Sequence, residues 1–247
     1  MCRLLGVIAK KPVKADYWFF DAETPYKDFS EKKINRGPHN SGWGIAWIKA
    51  KKWNIFKEGK DDVEKYSFNK VRDIKSKIII IHLRHASVGK ESWKNAHPFA
   101  YKNYVFAHNG GVARKQVINY LTEKFKKQIR TDTDSEVYFL LIMQLFEETK
   151  DIIKAIKKTL NIVRKYKYRG LNFVMSDGEN LYAFRDVSSE HKDLYDYYCL
   201  HYFLKDKADK EVIVSSDPLT KDDSWIPVNL GELLIVNKNM SVKKLGV

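Results

Sequence analysis

The amino-acid sequence predicts an α+β fold in which mainly antiparallel β-sheets pack together and are flanked by helices. Three observations lead to this prediction: many short runs rich in β-branched and aromatic residues, hairpin signals between some of them, and two adjoining segments with helical periodicity. The strand-like runs are 3–9, 44–49, 53–57, 78–84, 104–108, 171–176, 181–186, 211–215 and 232–236.

Two turn signals favour antiparallel pairing. Residues 45–48 and 53–56 are apolar runs separated by the polar segment 49–52, which is typical of a hairpin, and Asp177-Gly178 marks a turn between two later strands. The unbroken apolar run 78–81 predicts a strand that is covered on both faces. Sheets that pack together under a layer of helices satisfy both signals.

Helical periodicity appears at 135–147 and again at 151–168. In the second segment Ile152, Ile156, Leu160 and Val163 fall on one face, which must cover a sheet. A further, weaker helix is predicted over 114–127. Before the first helix, Thr133 followed by Glu136 predicts a capping box, with Asp134 in the first turn, where a negative charge is stabilised.

Composition limits the class of protein. The chain has 247 residues, 44% of them apolar, which favours one domain over 2–247 once Met1 is removed, and no apolar run approaches the roughly 18 residues that span a membrane. Two cysteines are too few for a disulfide framework, so a cytoplasmic location is expected. The net charge of +14 is spread along the chain among acidic residues, which argues against a nucleic-acid partner.

The position of Cys2 is the most informative single feature. Removal of Met1 would give this residue both a thiol nucleophile and a free α-amine. An α-amine has a reference pKa of about 7.7–8.0 and can therefore accept a proton near neutrality. A cysteine that merely begins a buried strand is an equally good reading of the position alone.

Several polar residues follow predicted strands and suggest a binding site. Arg84 offers a planar fork that matches a carboxylate, and Asn109-Gly110 could aim a side-chain amide and a backbone N–H at one oxygen. Taken singly, these residues have simple structural explanations: a surface arginine, a core histidine, an Asn-Gly turn, and an Asp134 that stabilises the first turn of a helix. The histidines at 82, 85, 97 and 108 lack the spacing of a zinc site, so no metal is predicted, and Cys199 fits a packed residue better than a second nucleophile.

Taken in order, these segments resemble the class II, or Ntn-type, glutamine amidotransferases. The resemblance is carried by Cys2, RGPHNSGWG at 36–44, HLRHAS at 82–87, NAHP at 95–98, HNG at 108–110 and DSE at 134–136. The segments at 36–44 and 215–218 are similar to those of stand-alone members, although Asn40 stands where many relatives carry Asp. The resemblance implies a four-layer αββα sandwich of the Ntn-hydrolase type with two mainly antiparallel sheets.

The resemblance also implies roles for individual residues. Cys2 would be the nucleophile, its α-amine the base, and Asn109 with the Gly110 N–H the oxyanion hole. The substrate-binding residues would be Arg84 and Ser87 for the α-carboxylate, Asp134 for the α-ammonium, and additionally His97 and Arg36. No metal or organic cofactor is implied.

The implied activity is release of glutamate and ammonia from glutamine through a cysteine thioester. Any ammonia that is used would serve a separate synthase or acceptor subunit. The nearest alternative is hydrolysis of γ-glutamyl peptides or γ-glutamyl intermediates. A different class of function, a catalytically inactive regulatory or basic nucleic-acid-binding subunit, is disfavoured by the presence together of Cys2, Arg84, Asn109, Gly110 and Asp134.

Overall fold

The computed structural model of the protein describes residues 2–31, 39–87, 89–205, 210–221 and 224–247. Its strands are β1 (Arg3–Lys14), β2 (Gly42–Lys49), β3 (Lys52–Gly59), β4 (Lys75–Arg84), β5 (Phe99–Tyr101), β6 (Tyr104–Gly110), β7 (Leu171–Ser176), β8 (Leu181–Arg185), β9 (His201–Lys205), β10 (Glu211–Ser215), β11 (Ile226–Pro227), β12 (Glu232–Val236) and β13 (Val242–Gly246). The α-helices are α1 (Asp28–Glu31), α2 (Arg114–Val117), α3 (Glu123–Lys126), α4 (Asp134–Thr149) and α5 (Ile152–Val163).

The strands form two antiparallel sheets. In the described ranges, one sheet has the order β11-β9-β10-β1-β4-β2-β3 and the other has the order β13-β12-β8-β7-β6-β5. The predicted hairpins are confirmed: β2 pairs with β3 around a two-residue turn at Ala50 and Lys51, both with positive φ, and Asp177-Gly178 joins β7 to β8. A two-residue turn with both φ values positive matches the twist of the strands it connects.

The two sheets pack face to face over an apolar core. Leu4 and Ile80 from the first sheet lie in the same buried cluster as Val105, Val174 and Leu234 from the second. Ile79 and Ile81 of β4 point to the opposite face of their sheet and are buried there, so the run 78–81 is buried on both faces, as predicted. Side chains alternate across a strand, and therefore a strand between two covered faces must be apolar throughout.

Helical segments cover both outer faces. Helices α4 and α5 pack on the six-stranded sheet, where Phe139 and Ile156 join the cluster of Phe173. On the other side, Trp18 and Phe29, from the π-helical turn Tyr17–Asp21 and from α1, pack on the seven-stranded sheet. The αββα sandwich is confirmed by these layers. In the described part of the chain, no helix combines the length and the apolar character that crossing a bilayer requires.

Two helix predictions were wrong in extent. The predicted helix over 114–127 is broken into α2, a 3₁₀ turn at Ile118–Tyr120 and α3, because Gln144 of α4 bonds the backbone between them: its Nε2 donates to Tyr120 O and its Oε1 accepts from Thr122 N. The predicted helix over 151–168 ends at Val163, after which the backbone bonds shorten to three-residue spacing. The apolar face ends at the same residue.

The capping box before α4 is only half correct. Thr133 is the N-cap and its hydroxyl accepts from the Glu136 N–H at 3.4 Å, as predicted. The Glu136 carboxylate does not return to Thr133 but accepts from the backbone N–H groups of Arg130 and Thr131. The carboxylate therefore holds the loop before the helix in addition to the helix start.

Candidate active site

The ends of three elements bring Cys2, Arg84 and Asn109 to one end of the sandwich. Arg3 pairs with Leu83 across β1 and β4, so Cys2 lies beside Arg84 and its Sγ is 3.9 Å from the carbonyl oxygen of His85. Asn109 is the penultimate residue of β6 in the facing sheet, and its side chain reaches Cys2. The antiparallel register of both sheets thus places these residues together although they are far apart in sequence.

The contact between Cys2 and Asn109 is direct. The backbone nitrogen of Cys2 donates to Asn109 Oδ1 at 3.0 Å, and Asn109 is fully buried. This bond fixes the orientation of the amide. Its Nδ2 is buried and, among the described residues, has no hydrogen-bond partner. A buried donor without a partner costs about 1–3 kcal/mol, so this donor calls for an explanation, and it is available to donate to a ligand.

Gly110 is required at its position by close packing of the backbone. A Cβ atom there would lie 1.8 Å from the carbonyl oxygen of Gly170, the residue before β7. Any larger residue would force β6 and β7 apart at the point where Asn109 approaches Cys2. The Asn109-Gly110 pair is therefore fixed by the sheet rather than by a free turn.

Asp134 reaches the same place from the helical layer. It is the first residue of α4, it is 9% exposed, and its Oδ2 accepts from the Val112 N–H at 2.7 Å. That bond joins the helix start to the backbone that follows Asn109 and Gly110.

Arg84 is a buried charge, at 3% exposure. Its Nη1 donates to the carbonyl oxygen of Lys90 at 2.8 Å. Burial lowers the pKa of Arg84, while Cys2, Glu91 and Asp134 act in the opposite direction. A guanidinium still retains its proton under such conditions, so Arg84 places a buried positive charge beside Cys2.

The Cys2 thiol lies between charges of opposite sign. Burial raises its pKa above the ordinary value; among the weaker influences Arg84 lowers the pKa and Asp134 raises it. The thiol is thus neutral near pH 7, and a base must take its proton before or during attack on a carbonyl. Arg84 and Asp134 are both close enough to the sulfur to influence its pKa electrostatically.

Of the other predicted site residues, Ser87 and His97 are described. Ser87 is exposed on the loop after β4, and Arg36 lies outside the described residues. His97 is 3% exposed and its ring packs in the interior, with its centroid 4.1 Å from that of His82 and 4.5 Å from that of Phe99. Substrate-binding roles for these residues stay predictions.

His97 belongs to a buried histidine cluster with His82 and His108. His108 Nε2 donates to Gly170 O at 3.2 Å and its Nδ1 accepts from the Ser135 hydroxyl at 2.8 Å. His82 Nε2 donates to His108 O at 3.2 Å. Burial lowers the pKa of all three rings, which keeps them neutral. Within the described ranges, no three His, Cys, Asp or Glu side chains are arranged to share a metal ion.

Arg3 is a supporting residue that sequence reasoning missed. Its side chain is 1% exposed; Nη1 donates to Cys2 O at 3.3 Å, Nε lies 2.8 Å from Asp217 Oδ2, and the guanidinium stacks 4.2 Å over the Tyr197 ring. Tyr197 in turn donates to His39 Nε2 at 2.9 Å. An arginine at the start of an otherwise apolar strand was the available signal, because a buried charge needs a partner.

Cys199 is half-buried rather than part of the core. Its Sγ donates to Tyr195 O at 3.5 Å and lies 3.7 Å from Arg185 Nη2. Burial raises its pKa. Burial and the bond to a backbone carbonyl therefore favour the protonated form of Cys199.

Comparisons with known proteins agree with one another. Residues 1–245 match the sequence model of a family described as glutamine amidotransferases class-II. An uncharacterized protein of Methanocaldococcus jannaschii is 30% identical over 95% of this chain and 69% of its own length. A glutamine aminotransferase class-II domain protein from Silicibacter pomeroyi superimposes with a TM-score of 0.65 at 22% identity, covering 99% of both chains. The glutamine phosphoribosylpyrophosphate amidotransferase of B. subtilis gives 0.66 at 17% identity, covering 99% of this chain but 49% of that one.

Proposed function

Because the chain belongs to the class II glutamine amidotransferases, we propose that it hydrolyses the γ-amide of glutamine through a thioester on Cys2. The observation that carries this proposal is the Cys2–Asn109 contact, in which one end of a buried amide is bonded to the Cys2 nitrogen and the other end, Nδ2, is a donor without a partner among the described residues. The Cys2 thiol, the Cys2 α-amine and the Asn109 amide would then all be close enough to act on the same substrate carbonyl.

The first half of the reaction forms the thioester. The α-amine of Cys2, free after removal of Met1, takes the thiol proton, and the sulfur attacks the γ-carbonyl carbon. Negative charge develops on the carbonyl oxygen, where Asn109 Nδ2 and the Gly110 N–H donate to it. A preorganised donor of this kind is worth about 10²–10³ in rate. As the C–N bond breaks, the ammonium form of the α-amine returns its proton to the leaving ammonia.

Water completes the reaction. The α-amine removes a proton from a water molecule, whose oxygen attacks the thioester carbonyl. The C–S bond then breaks as the ammonium form of the amine returns this proton to the sulfur, which gives glutamate and the free thiol. The raised pKa of Cys2 explains why an amine base is needed, since the thiol does not ionise by itself at neutral pH. With the amine as base, kcat/KM should rise with pH up to about 8, near the reference pKa of an α-amine.

The charged residues support recognition of an α-amino acid head group. Arg84 would bind the α-carboxylate and Asp134 the α-ammonium, each buried enough to be selective. Both groups are present on glutamine and on every γ-glutamyl compound, and neither Arg84 nor Asp134 reads the leaving side of the amide. This supports a second candidate activity, hydrolysis of γ-glutamyl peptides or intermediates. Ammonia, where it is used, would pass to a separate synthase or acceptor subunit.

The decisive experiment measures glutamate release from glutamine and from glutathione by the purified protein. Intact-mass spectrometry of the active material should show that Met1 is absent, and Cys2→Ala should abolish turnover. Release of glutamate from glutamine alone supports the proposed hydrolysis of the γ-amide of glutamine. Release from glutathione alone supports the second candidate activity, hydrolysis of γ-glutamyl compounds. Full activity in protein that retains Met1, or in Cys2→Ala, would contradict the mechanism.

A further inference from the structure

The NAHP segment contains a residue to which the proposed mechanism gives no role. Asn95 is 3% exposed, and its side-chain amide bonds to two separate parts of the chain. Nδ2 donates to Lys90 O at 3.0 Å, and Oδ1 accepts from the Asp132 N–H at 3.3 Å. The same Lys90 oxygen accepts from Arg84 Nη1. One amide therefore connects the loop that holds Arg84 to the segment that leads into α4.

The two segments that Asn95 joins carry the two charges of the candidate head-group site. Arg84 is the last residue of β4, in the seven-stranded sheet, whereas Asp134 begins a helix packed on the other sheet. Asp132 precedes Asp134 by two residues, with the N-cap between them. Arg84 and Asp134 thus belong to opposite halves of the sandwich, and their separation depends on what links those halves.

The loop after β4 closes tightly around the Asn95 amide. Gly89 has a φ of +77°, a conformation that favours glycine. A Cβ atom at this position would lie 2.9 Å from Asn95 Nδ2 and 3.6 Å from the Cβ of Asp132. The backbone of the loop is therefore in contact with both the amide and the segment before α4.

We propose that Asn95 is a positioning residue that sets the separation between the Arg84 guanidinium and the Asp134 carboxylate, and thereby sets the selectivity of the site for an α-amino acid head group. The inference rests on the proposed function and deepens it. The α-carboxylate and α-ammonium of an amino acid share one carbon, so the groups that bind them must keep a fixed spacing. A displacement of about 1 Å in such a site costs up to 10²-fold in rate.

The test compares Asn95→Asp with Gln144→Glu. Gln144 is a matched control because it is 6% exposed and has the same pattern, with one bond to a backbone carbonyl at 2.9 Å and one from a backbone N–H at 2.7 Å, but it lies in the middle of α4. Each substitution is isosteric and replaces the donor to a carbonyl with an oxygen. Loss of folding stability should therefore be similar in the two variants.

Kinetics then separate positioning from a structural role. In Asn95→Asp the KM for glutamine or γ-glutamyl-p-nitroanilide should rise at least about tenfold, as expected for a displaced charge partner, with kcat changed much less. In Gln144→Glu the KM should not change. Binding of L-glutamate, measured by calorimetry, should weaken by the same factor in Asn95→Asp, while binding of 4-aminobutyrate, which lacks the α-carboxylate, should be equal to that of the wild type.

The possible outcomes separate the positioning role of Asn95 from the proposed function. Equal KM and equal L-glutamate affinity in Asn95→Asp and wild type would overturn the inference, as would equal effects of the two substitutions. If the wild type binds L-glutamate but turns over no γ-glutamyl substrate, the proposed function fails, and the positioning role is decided by the L-glutamate affinities alone. If the wild type neither binds L-glutamate nor turns over a γ-glutamyl substrate, both fail.

Discussion

Replacement of Asn109 tests the catalytic geometry most directly. Asn109→Ala removes Nδ2, the proposed oxyanion donor, and also removes Oδ1, which accepts from the Cys2 nitrogen at 3.0 Å. Loss of one oxyanion donor costs about 2.7–4 kcal/mol, or 10²–10³ in kcat. Because the base also loses the group that orients it, we expect a reduction at the upper end of this range.

Asn109→Asp separates the two contacts. Aspartate keeps an oxygen for the Cys2 amine but places a negative charge where the oxyanion forms. At 4 Å and an effective dielectric constant of 20, this repulsion is about 4 kcal/mol, or roughly 10³ in rate. The order of activity should therefore be wild type, then Asn109→Ala, then Asn109→Asp, although the aspartate variant is closer in shape.

Stability should change much less than activity in Asn109→Ala. The substitution removes one hydrogen bond, worth about 1 kcal/mol, but it also removes a buried donor without a partner, whose presence costs about 1–3 kcal/mol. These effects offset each other apart from the small cavity that is left. Initial rates of glutamate release and the thermal midpoint should be measured on the same preparations. A kcat within a factor of about ten of the wild type would refute the assigned donor, and so would an Asp variant more active than the Ala variant.

The remaining predictions concern recognition and pH. Arg84→Gln and Asp134→Asn should each cost about 2–5 kcal/mol in kcat/KM on glutamine and on γ-glutamyl substrates alike. Asp134→Asn keeps an oxygen that can accept from the Val112 N–H. Wild-type kcat/KM in either variant would contradict the head-group assignment. Burial lowers the folded-state pKa values of the histidine cluster below their ordinary value, so the unfolded state binds more protons, and the urea unfolding free energy should fall as the pH is lowered from 6.5 to 5.5. A flat profile would contradict this. Hydrogen bonds from Lys102, Lys124 and Tyr101 lower the pKa of Glu147 to about 2, so its stabilisation is present above pH 4.5 and lost toward pH 2. Glu147→Gln should remove about 1 kcal/mol, after allowance for solvent screening, and flatten stability in that window.

Local pattern accounts for most of the fold that the sequence predicts. The strands at 171–176, 211–215 and 232–236 coincide with β7, β10 and β12, because buried strands are marked by their own apolar residues. The edge strand β13 was missed because its lysines face solvent and leave no apolar alternation. The three-residue β5 is too short to show a period.

Contacts over long sequence distances could not be predicted in the same way. Cys2 and Asn109 were identified as separate motifs, but only the register of the two sheets shows that the amide oxygen meets the Cys2 nitrogen, 107 residues away. The break in the helix over 114–127 likewise depends on Gln144, and the roles of Arg3 and Asn95 depend on partners elsewhere in the chain. These contacts depend on how distant segments of the chain pack together, which local periodicity does not reveal.

The central place of β1 in its sheet bears on how the protein loses activity when heated. Chain ends usually fray first and open at little cost in free energy. Here β1 lies between β10 and β4, and Arg3 ties the chain beside Cys2 to Asp217. The strand next to Cys2, the proposed nucleophile, is therefore an interior strand of the sheet, and we expect exchange of the amide protons of β1 to require near-global unfolding. Inactivation by heat should then coincide with melting of the whole sandwich, with no earlier phase from a loosened terminus.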